Sequence, residues 1–324
     1  MSYKLGTVEA SEELIRDLYI NLRNRVNAWS KITQQTPQAR MGYIGQHLVS
    51  VVTGYPGGKS GARGYDLIME DGGYGEIKTC YRVDQLGECK DCKAVVSSLE
   101  TVCPLCDSPN IERKDDSKWL IGIQHDQEFG EMLDPKKYYF VLFEFEDLND
   151  IDNKNILAKI WEVDPKEKGF GYCIIDYYLN IKSKSKSGAP FNMWPYSLKF
   201  AITNPKLIYK SRITSDGKID TLVFPNRNDL GADEDLLNFA HYSRATNWSK
   251  EDIEKVIKKF NPSYSVGTKN KQAVIMDLEE TRKNYHIEAS DICEAIAEVI
   301  YMPKIANNLT KIPEKLLKYF NELK

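Results

Sequence analysis

Four cysteines stand as two pairs, Cys89-Lys-Asp-Cys92 and Cys103-Pro-Leu-Cys106, with ten residues between the pairs. The two-residue spacer lets both sulfurs of a pair turn toward one point. Two such knuckles complete a four-thiolate tetrahedral shell of the kind that holds a structural Zn²⁺. A shell closed by four protein ligands leaves no position for a substrate, so this centre constrains the fold and not the chemistry. A pair of disulfides or a redox-active pair is the competing use of the same residues, and a reducing compartment disfavours it. The spacing therefore predicts a small zinc-ribbon module over 86–113. Cys80, Cys173 and Cys293 lack such company and read as small buried hydrophobes.

Just upstream, Gly57 to Cys80 reads GGKSGARGYDLIMEDGGYGEIKTC, which sets Asp66 ahead of Glu76-Ile77-Lys78 with nine residues between. Side chains alternate faces along a strand, so Glu76 and Lys78 share one side while Ile77 enters the other. Two acids and an amine converge. A carboxylate pair suits Mg²⁺, which prefers oxygen ligands and keeps several waters. The amine can hold or help deprotonate an attacking water and balance negative charge building on a phosphate. The alternative is a solvated hairpin with Asp71-Gly72-Gly73 as its turn and the charges facing water.

At 324 residues and 42% hydrophobic content the chain buries a large core, as one large domain or two. The formal net charge of −3 gives no general affinity for a polyanion, so any nucleic-acid surface must be a local patch. The start, MSYKLGTVEASEEL, is polar and acidic, and no apolar run approaches eighteen residues. A cytoplasmic protein is the expectation.

The periodicity predicts a helix over 11–29, with Leu14, Leu18, Leu22 and Val26 on one face, as an N-terminal scaffold within 1–36. A second helix opens at Thr36-Pro37 and closes at Gly54. Its buried stripe is Met41, Ile44, Leu48, Val51 and Val52, and Gly42 and Gly45 allow close packing. The glycine-rich approach over 54–64 lacks the spacing of a phosphate-cradling Walker loop. Its Lys59, Ser60 and Arg63 either grip phosphates beside Asp66 or are ordinary loop content.

Near-continuous apolar runs at 119–123, 138–145 and 159–163 read as strands covered on both faces. The zinc module is then an insertion into the sheet of a mixed α/β core spanning 37–228. Residues 171–181 read as one more strand, leading into Lys182-Ser-Lys-Ser-Lys-Ser-Gly188. There Lys182, Lys184 and Lys186 suit either a DNA-facing loop or a solubilising one. From 229 to 324 the chain turns helical and charged, with helices expected at 233–242, 250–260, 271–285, 290–301 and 314–323. This C-terminal region is a candidate for DNA contact or dimerisation.

Asp66 with Glu76-Ile77-Lys78 resembles the active-site signature of the PD-(D/E)XK nuclease superfamily, with Tyr65 where the name-giving proline stands. The blocks GYIGQHLVSVVTG, SGARGYDL, EIKTC, RVDQLGEC and ERKDDSKWL, within Met41 to Leu120, are similar to type II restriction endonucleases of the MamI-type family. The resemblance implies a restriction-endonuclease-like α/β (α+β) fold, a mixed β-sheet core with flanking helices, an inserted four-cysteine zinc ribbon and a helical C-terminal region. It implies Mg²⁺-dependent hydrolysis of double-stranded DNA, leaving 5′-phosphate and 3′-hydroxyl ends. Asp66 and Glu76 would bind the ion with the Ile77 carbonyl as a further ligand, Lys78 would position the water, and Gln46 would stand near the metal. A prokaryotic cytoplasm and a cognate DNA methyltransferase are implied with it. Cutting both strands asks for two such centres, so a homodimer on a two-fold symmetric site is expected. The rival readings are a Holliday-junction or repair nuclease of the same fold, and a non-catalytic zinc-ribbon DNA-binding regulator.

Overall fold

The computed structural model describes residues 3–33, 35, 42–58, 66–83, 85–123, 131–150, 152–185, 190–225, 231–232, 236, 248–311 and 313–323. The chain forms two compact units that interleave along the sequence. One comprises Met1–Trp119, Tyr139–Glu162 and Leu207–Leu230; the other comprises Leu120–Tyr138, Val163–Lys206 and Gly231–Lys324. Among the described residues no helix is long and apolar enough to cross a membrane.

The first unit opens with α1 (Val8–Leu14), a π-helical segment (Ile15–Asn21) and α2 (Leu22–Thr33), followed by α3 (Gly42–Thr53). The Thr7 hydroxyl caps α1 by accepting from the Ala10 N–H. Ile15 and Tyr19 are fully buried, whereas α2 buries no residue at all. The expected continuous buried stripe therefore fails from Leu18 onward: Leu18 and Leu22 are exposed, and Ile15 and Tyr19 are buried instead. The wider π turn shifts the register of the side chains after it, so one sequence-level stripe does not stay on one face. Gly54, at φ +81°, closes α3 in the left-handed conformation that glycine supplies without strain.

Strands β1 (Leu67–Ile68), β2 (Tyr74–Tyr81), β3 (Leu86–Cys89), β4 (Val95–Ser97), β5 (Ile111–Glu112), β6 (Trp119–Ile121), β7 (Lys137–Phe145) and β8 (Ile156–Val163) come next. After α4 (Lys168–Asn180), β9 (Phe191–Met193) and α5 (Leu198–Ala201) come β10 (Lys206–Ile213) and β11 (Ile219–Val223). The central mixed sheet has the order β1-β2-β7-β8-β10-β11, with β1–β2 and β10–β11 antiparallel. One face packs on the helices, where Ile15, Tyr19, Leu48 and Val52 meet Ile77, Val141, Phe143 and Ile160. Across the other, Trp119 donates from its indole to the Val141 carbonyl at 2.8 Å and packs edge-on against Phe140 and Trp161.

The four-cysteine stretch leaves the sheet after β2 and returns before β7, two strands adjacent in the sheet, so it is an insertion. Its own sheet has the order β4-β3-β5, both pairings antiparallel. A clasp closes its neck: Arg82 faces Asp115 at 3.5 Å, and the Gln85 amide donates to Asp116 at 2.7 Å.

In the second unit, β6 pairs with β9, so the run after Trp119 does not extend the central sheet. The expected strand over 171–181 is instead α4 (Lys168–Asn180), buried on nearly every side. A helix hydrophobic all round carries no amphipathic period, and its β-branched and aromatic content imitates a covered strand. A Cβ at Gly169 would collide with the Ile202 backbone, and one at Gly171 with Leu323 and Tyr319. The rest comprises α6 (Lys250–Phe260), α7 (Lys271–Asn284), α8 (Ala289–Ile296), a π segment (Ala297–Tyr301), α9 (Met302–Ala306) and α10 (Glu314–Glu322). These match the four expected helices from 250 onward, whereas the helix expected at 233–242 lies outside the described residues except Leu236. A capping box between Ser249 and Asp252 starts α6.

Candidate active site

The site is assembled by α3, β1 and β2. The turn between the strands is held by Gly72 at φ +76° and by the Asp71 carboxylate accepting from Gly73 N–H, which brings Asp66 alongside β2. Burial along β2 alternates from Tyr74 to Lys78 as the sequence requires. Ile77 lies in the helix-facing core while Glu76 and Lys78 are half-buried on the opposite face. Gly75 keeps the strand close to its neighbour, because a Cβ there would lie 2.9 Å from the Tyr139 ring.

Asp66 is held from two sides. Its Oδ2 accepts from the Ile77 N–H at 2.8 Å and its Oδ1 from the Gln46 Nε2 at 2.7 Å. Gln46 reaches it because α3 runs hard against β2 at Gly45, where any side chain would collide with Thr79. Gly42, by contrast, faces open space and has no such packing role. The Lys78 Nζ donates to Glu76 Oε1 at 2.6 Å, so amine and carboxylate are paired on the site's face. Burial pushes the Asp66 carboxyl above its ordinary range and the nearby Glu76 carboxylate adds to this; the Ile77 N–H bond and the Lys78 ammonium oppose both without cancelling them. Two acids are thus kept close and partly desolvated, an arrangement that a divalent cation relieves. The two carboxylates are hard oxygen donors that could hold an ion that keeps several waters.

The Cys89, Cys92, Cys103 and Cys106 sulfurs all lie within 4.8 Å of one another. Cys89 and Cys106 are 3.7 Å apart and Cys92 and Cys103 3.5 Å. A tetrahedron with metal–sulfur bonds of about 2.3 Å has edges of about 3.8 Å, so the four sulfurs fit Zn²⁺. The two knuckles repeat one backbone shape: Lys93 N–H bonds to Cys89 O and Asp107 N–H to Cys103 O, both at 2.9 Å. Lys93 and Asp107, each following the second cysteine of its pair, are left-handed at φ 63° and 56°. The backbone N–H groups of Cys92 and Asp91 draw the Cys89 thiol down to about 7. Asp91 itself accepts from Ser108 and, at 3.0 Å, from Asn110, tying one knuckle to the other.

A family model described as MamI restriction endonuclease matches residues 28–239, more than half of the chain. The chain belongs to this family. No curated protein and no solved structure matches it. Membership in the MamI family makes it a restriction endonuclease by class, with DNA as the substrate. The matched span contains both the Asp66–Lys78 site and the four-cysteine centre and ends before α6.

The structure brings Gln46, Asp66, Glu76, Ile77 and Lys78 into one constellation. Lys59, Ser60, Arg63 and Lys186, together with Tyr65, lie outside the described residues. Lys182 and Lys184 form a single helical turn after α4, in which Lys182 is buried and Lys184 exposed. Sequence reasoning missed the neck clasp of Arg82, Gln85, Asp115 and Asp116. Its only signal was polar partners standing at both ends of the insertion. Cys80, Cys173 and Cys293 are buried, their thiols pushed up to about 11, 11 and 12 by desolvation.

Proposed function

We propose that the chain is a type II, Mg²⁺-dependent endodeoxyribonuclease of the PD-(D/E)XK kind, which cuts duplex DNA at a defined site and leaves 5′-phosphate and 3′-hydroxyl ends. The observation that best supports this reading is the Gln46–Asp66–Ile77 hydrogen-bonded arrangement beside the Glu76–Lys78 pair. When bound, Mg²⁺ supplies Lewis acidity to the scissile phosphate and lowers the pKa of a water in its shell. Asp66, Glu76 and the Ile77 carbonyl would hold the ion, and Gln46 fixes the Asp66 carboxylate in its orientation. Lys78, already on the same face as Glu76, orients the attacking water and offsets charge that grows on the phosphate in the transition state.

Zn²⁺ in the four-cysteine centre has a structural role in this reading, since four thiolates leave no open position. Lys59, Ser60 and Arg63 ahead of Asp66, and Lys182, Lys184 and Lys186 after α4, are the proposed phosphate-gripping residues. Exposed Lys184 suits that role better than buried Lys182. The enzyme acts as a homodimer on a palindromic or interrupted-palindromic site, in the cytoplasm of a prokaryote whose own DNA is protected by a cognate methyltransferase. Digestion of a sequenced genome with the purified protein and Mg²⁺, followed by sequencing of fragment ends, tests this. One recurrent sequence at all ends is the expected result, and intact DNA or ends without common sequence would overturn it.

A further inference from the structure

Helix α2 is amphipathic in the wrong sense for a scaffold. Its half-buried side carries Arg23, Val26, Asn27 and Ser30, three of them polar, and the Arg23 Nη1 donates to the Tyr19 hydroxyl at 3.2 Å. Leu22, Trp29 and Ile32 lie on the opposite side, within about 80° of arc, and are exposed, Trp29 by 65% and Ile32 by 73%. Their spacing of seven and then three, from Leu22 to Trp29 to Ile32, is that of a seam made to meet another surface. The zinc module adjoins the exposed side of the helix. The Lys31 ammonium, about 100° round the helix from Ile32, faces Glu100 of the zinc module at 3.6 Å. Two residues past Glu100 stands Val102, 46% exposed, and beyond it Leu105, 74% exposed at the tip of the second knuckle.

Charge divides this face. On its exposed side α2 carries Arg25 and Lys31 and no acid, a balance of +2, since Arg23 lies on the half-buried side. Residues 86–113 carry three cations, Lys90, Lys93 and Arg113, against five acids, Glu88, Asp91, Glu100, Asp107 and Glu112, a balance of −2 before the four thiolates are counted. A phosphate backbone laid across the face would meet a repelling half. A second copy turned through a two-fold axis meets no such conflict, since the basic helix of each copy lies over the acidic module of the other, apolar side chains between. The five exposed side chains present on the order of 500 Å² per copy, so a contact covering them from both sides reaches the roughly 1,000 Å² that a specific interface needs.

We propose that α2 and the zinc module together form the subunit interface of a two-fold homodimer. This rests on the homodimer reading above and gives it a surface, in place of the C-terminal helices. The zinc ion then has a second consequence, because it shapes one half of the contact.

The test is sedimentation equilibrium of the full, zinc-loaded chain across a micromolar concentration range. Wild type is compared with Trp29→Glu/Ile32→Glu and, separately, with Val102→Glu/Leu105→Glu. A wild-type dimer of 37.2 kDa protomers is expected, with each double variant raising the dissociation constant by at least ~100-fold. All four side chains are exposed and outside the catalytic set, so melting temperature, zinc content and single-strand nicking should be kept. A wild-type dimer that neither variant weakens would overturn this face while leaving the dimer reading standing. A wild type that is monomeric alone and on DNA would overturn both. Loss of DNA affinity in the α2 variant with unchanged dimerisation would overturn it as well, since the face would then belong to DNA.

Discussion

At Cys89, Cys92, Cys103 and Cys106 four sulfurs sit close to the edges of a metal tetrahedron, braced by two identical backbone turns. At Asp66, Glu76 and Lys78, a short distance upstream, the charges are only partly resolved: burial and Glu76 hold Asp66 above its ordinary range. In the proposed reading the first region is completed by a structural ion and the second is poised for a catalytic one. A closed shell gains most by fixing geometry, because metal binding there is folding free energy. An open shell gains by keeping oxygen donors available for water and phosphate, and it does so at some cost to the folded protein.

The largest break in this contrast should come from the cysteines. Cys89→Ser or Cys103→Ser removes a ligand from a closed shell, and the zinc contribution, of order 10 kcal/mol in isolated modules, is mostly lost. We expect zinc-free protein by elemental analysis and fast amide exchange confined to 86–113 and its neck. Zinc retained at full stoichiometry would contradict the four-thiolate assignment.

A smaller effect is expected where packing delivers a ligand. Gly45→Ala should cost about 1–3 kcal/mol in chemical denaturation and slow cleavage, because α3 must move away from Thr79 and carries Gln46 with it. Gln46→Ala leaves the packing intact and should slow cleavage by about 10–100-fold while raising the Mg²⁺ requirement. If Gln46→Ala is fully active, the amide does no positioning.

Asp66→Asn should separate the two kinds of site by the sign of its effect. A carboxyl raised in the folded state binds its proton more readily there than in the unfolded chain. Stability from this group is therefore lost as pH rises from the ordinary carboxylate value through the raised one. At neutral pH the ionised Asp66 is a cost, so Asp66→Asn should melt slightly higher than wild type while losing cleavage. The gain should be below about 1 kcal/mol at a group still reached by solvent. The advantage should vanish in acid, where both side chains are neutral. In metal-free protein Asp66 should take up its proton above the ordinary carboxylate range, and added Mg²⁺ should lower that value.

The smallest effect belongs to the knuckles. Lys93→Gly and Asp107→Gly relieve left-handed backbone at φ 63° and 56°, and each should change module stability by no more than about 1 kcal/mol, toward stabilisation. Denaturant titration of the zinc-loaded protein measures it. A loss of several kcal/mol would mean that the Lys93 or Asp107 side chain carries the turn.

What could be seen in the sequence follows the same division. The four-cysteine centre was legible because its geometry is local, two short spacers and a short gap. The facing of Glu76 and Lys78 was legible because strand alternation is local too. Gln46 could be picked only through family resemblance, since its use depends on Gly45 meeting Thr79 across space. The strand expected at 171–181 became α4 because a helix buried all round shows no period to read. The stripe through Leu18 and Leu22 was visible, but which face it served was not, because the π segment Ile15–Asn21 buries Ile15 and Tyr19 and leaves Leu18 exposed.

The central claim is that Asp66, Glu76 and Lys78 form a nucleolytic centre, and the most direct test is single-turnover cleavage of duplex DNA with Mg²⁺ by Glu76→Ala and Lys78→Ala beside wild type. Binding of the same duplex is measured without turnover in Ca²⁺. The account predicts cleavage down by about 1,000-fold or more in each variant, because a metal ligand or the water-orienting amine is gone from the transition state. Binding should stay within a few-fold of wild type, and zinc content should be unchanged. Cleavage near the wild-type rate in either variant would contradict it.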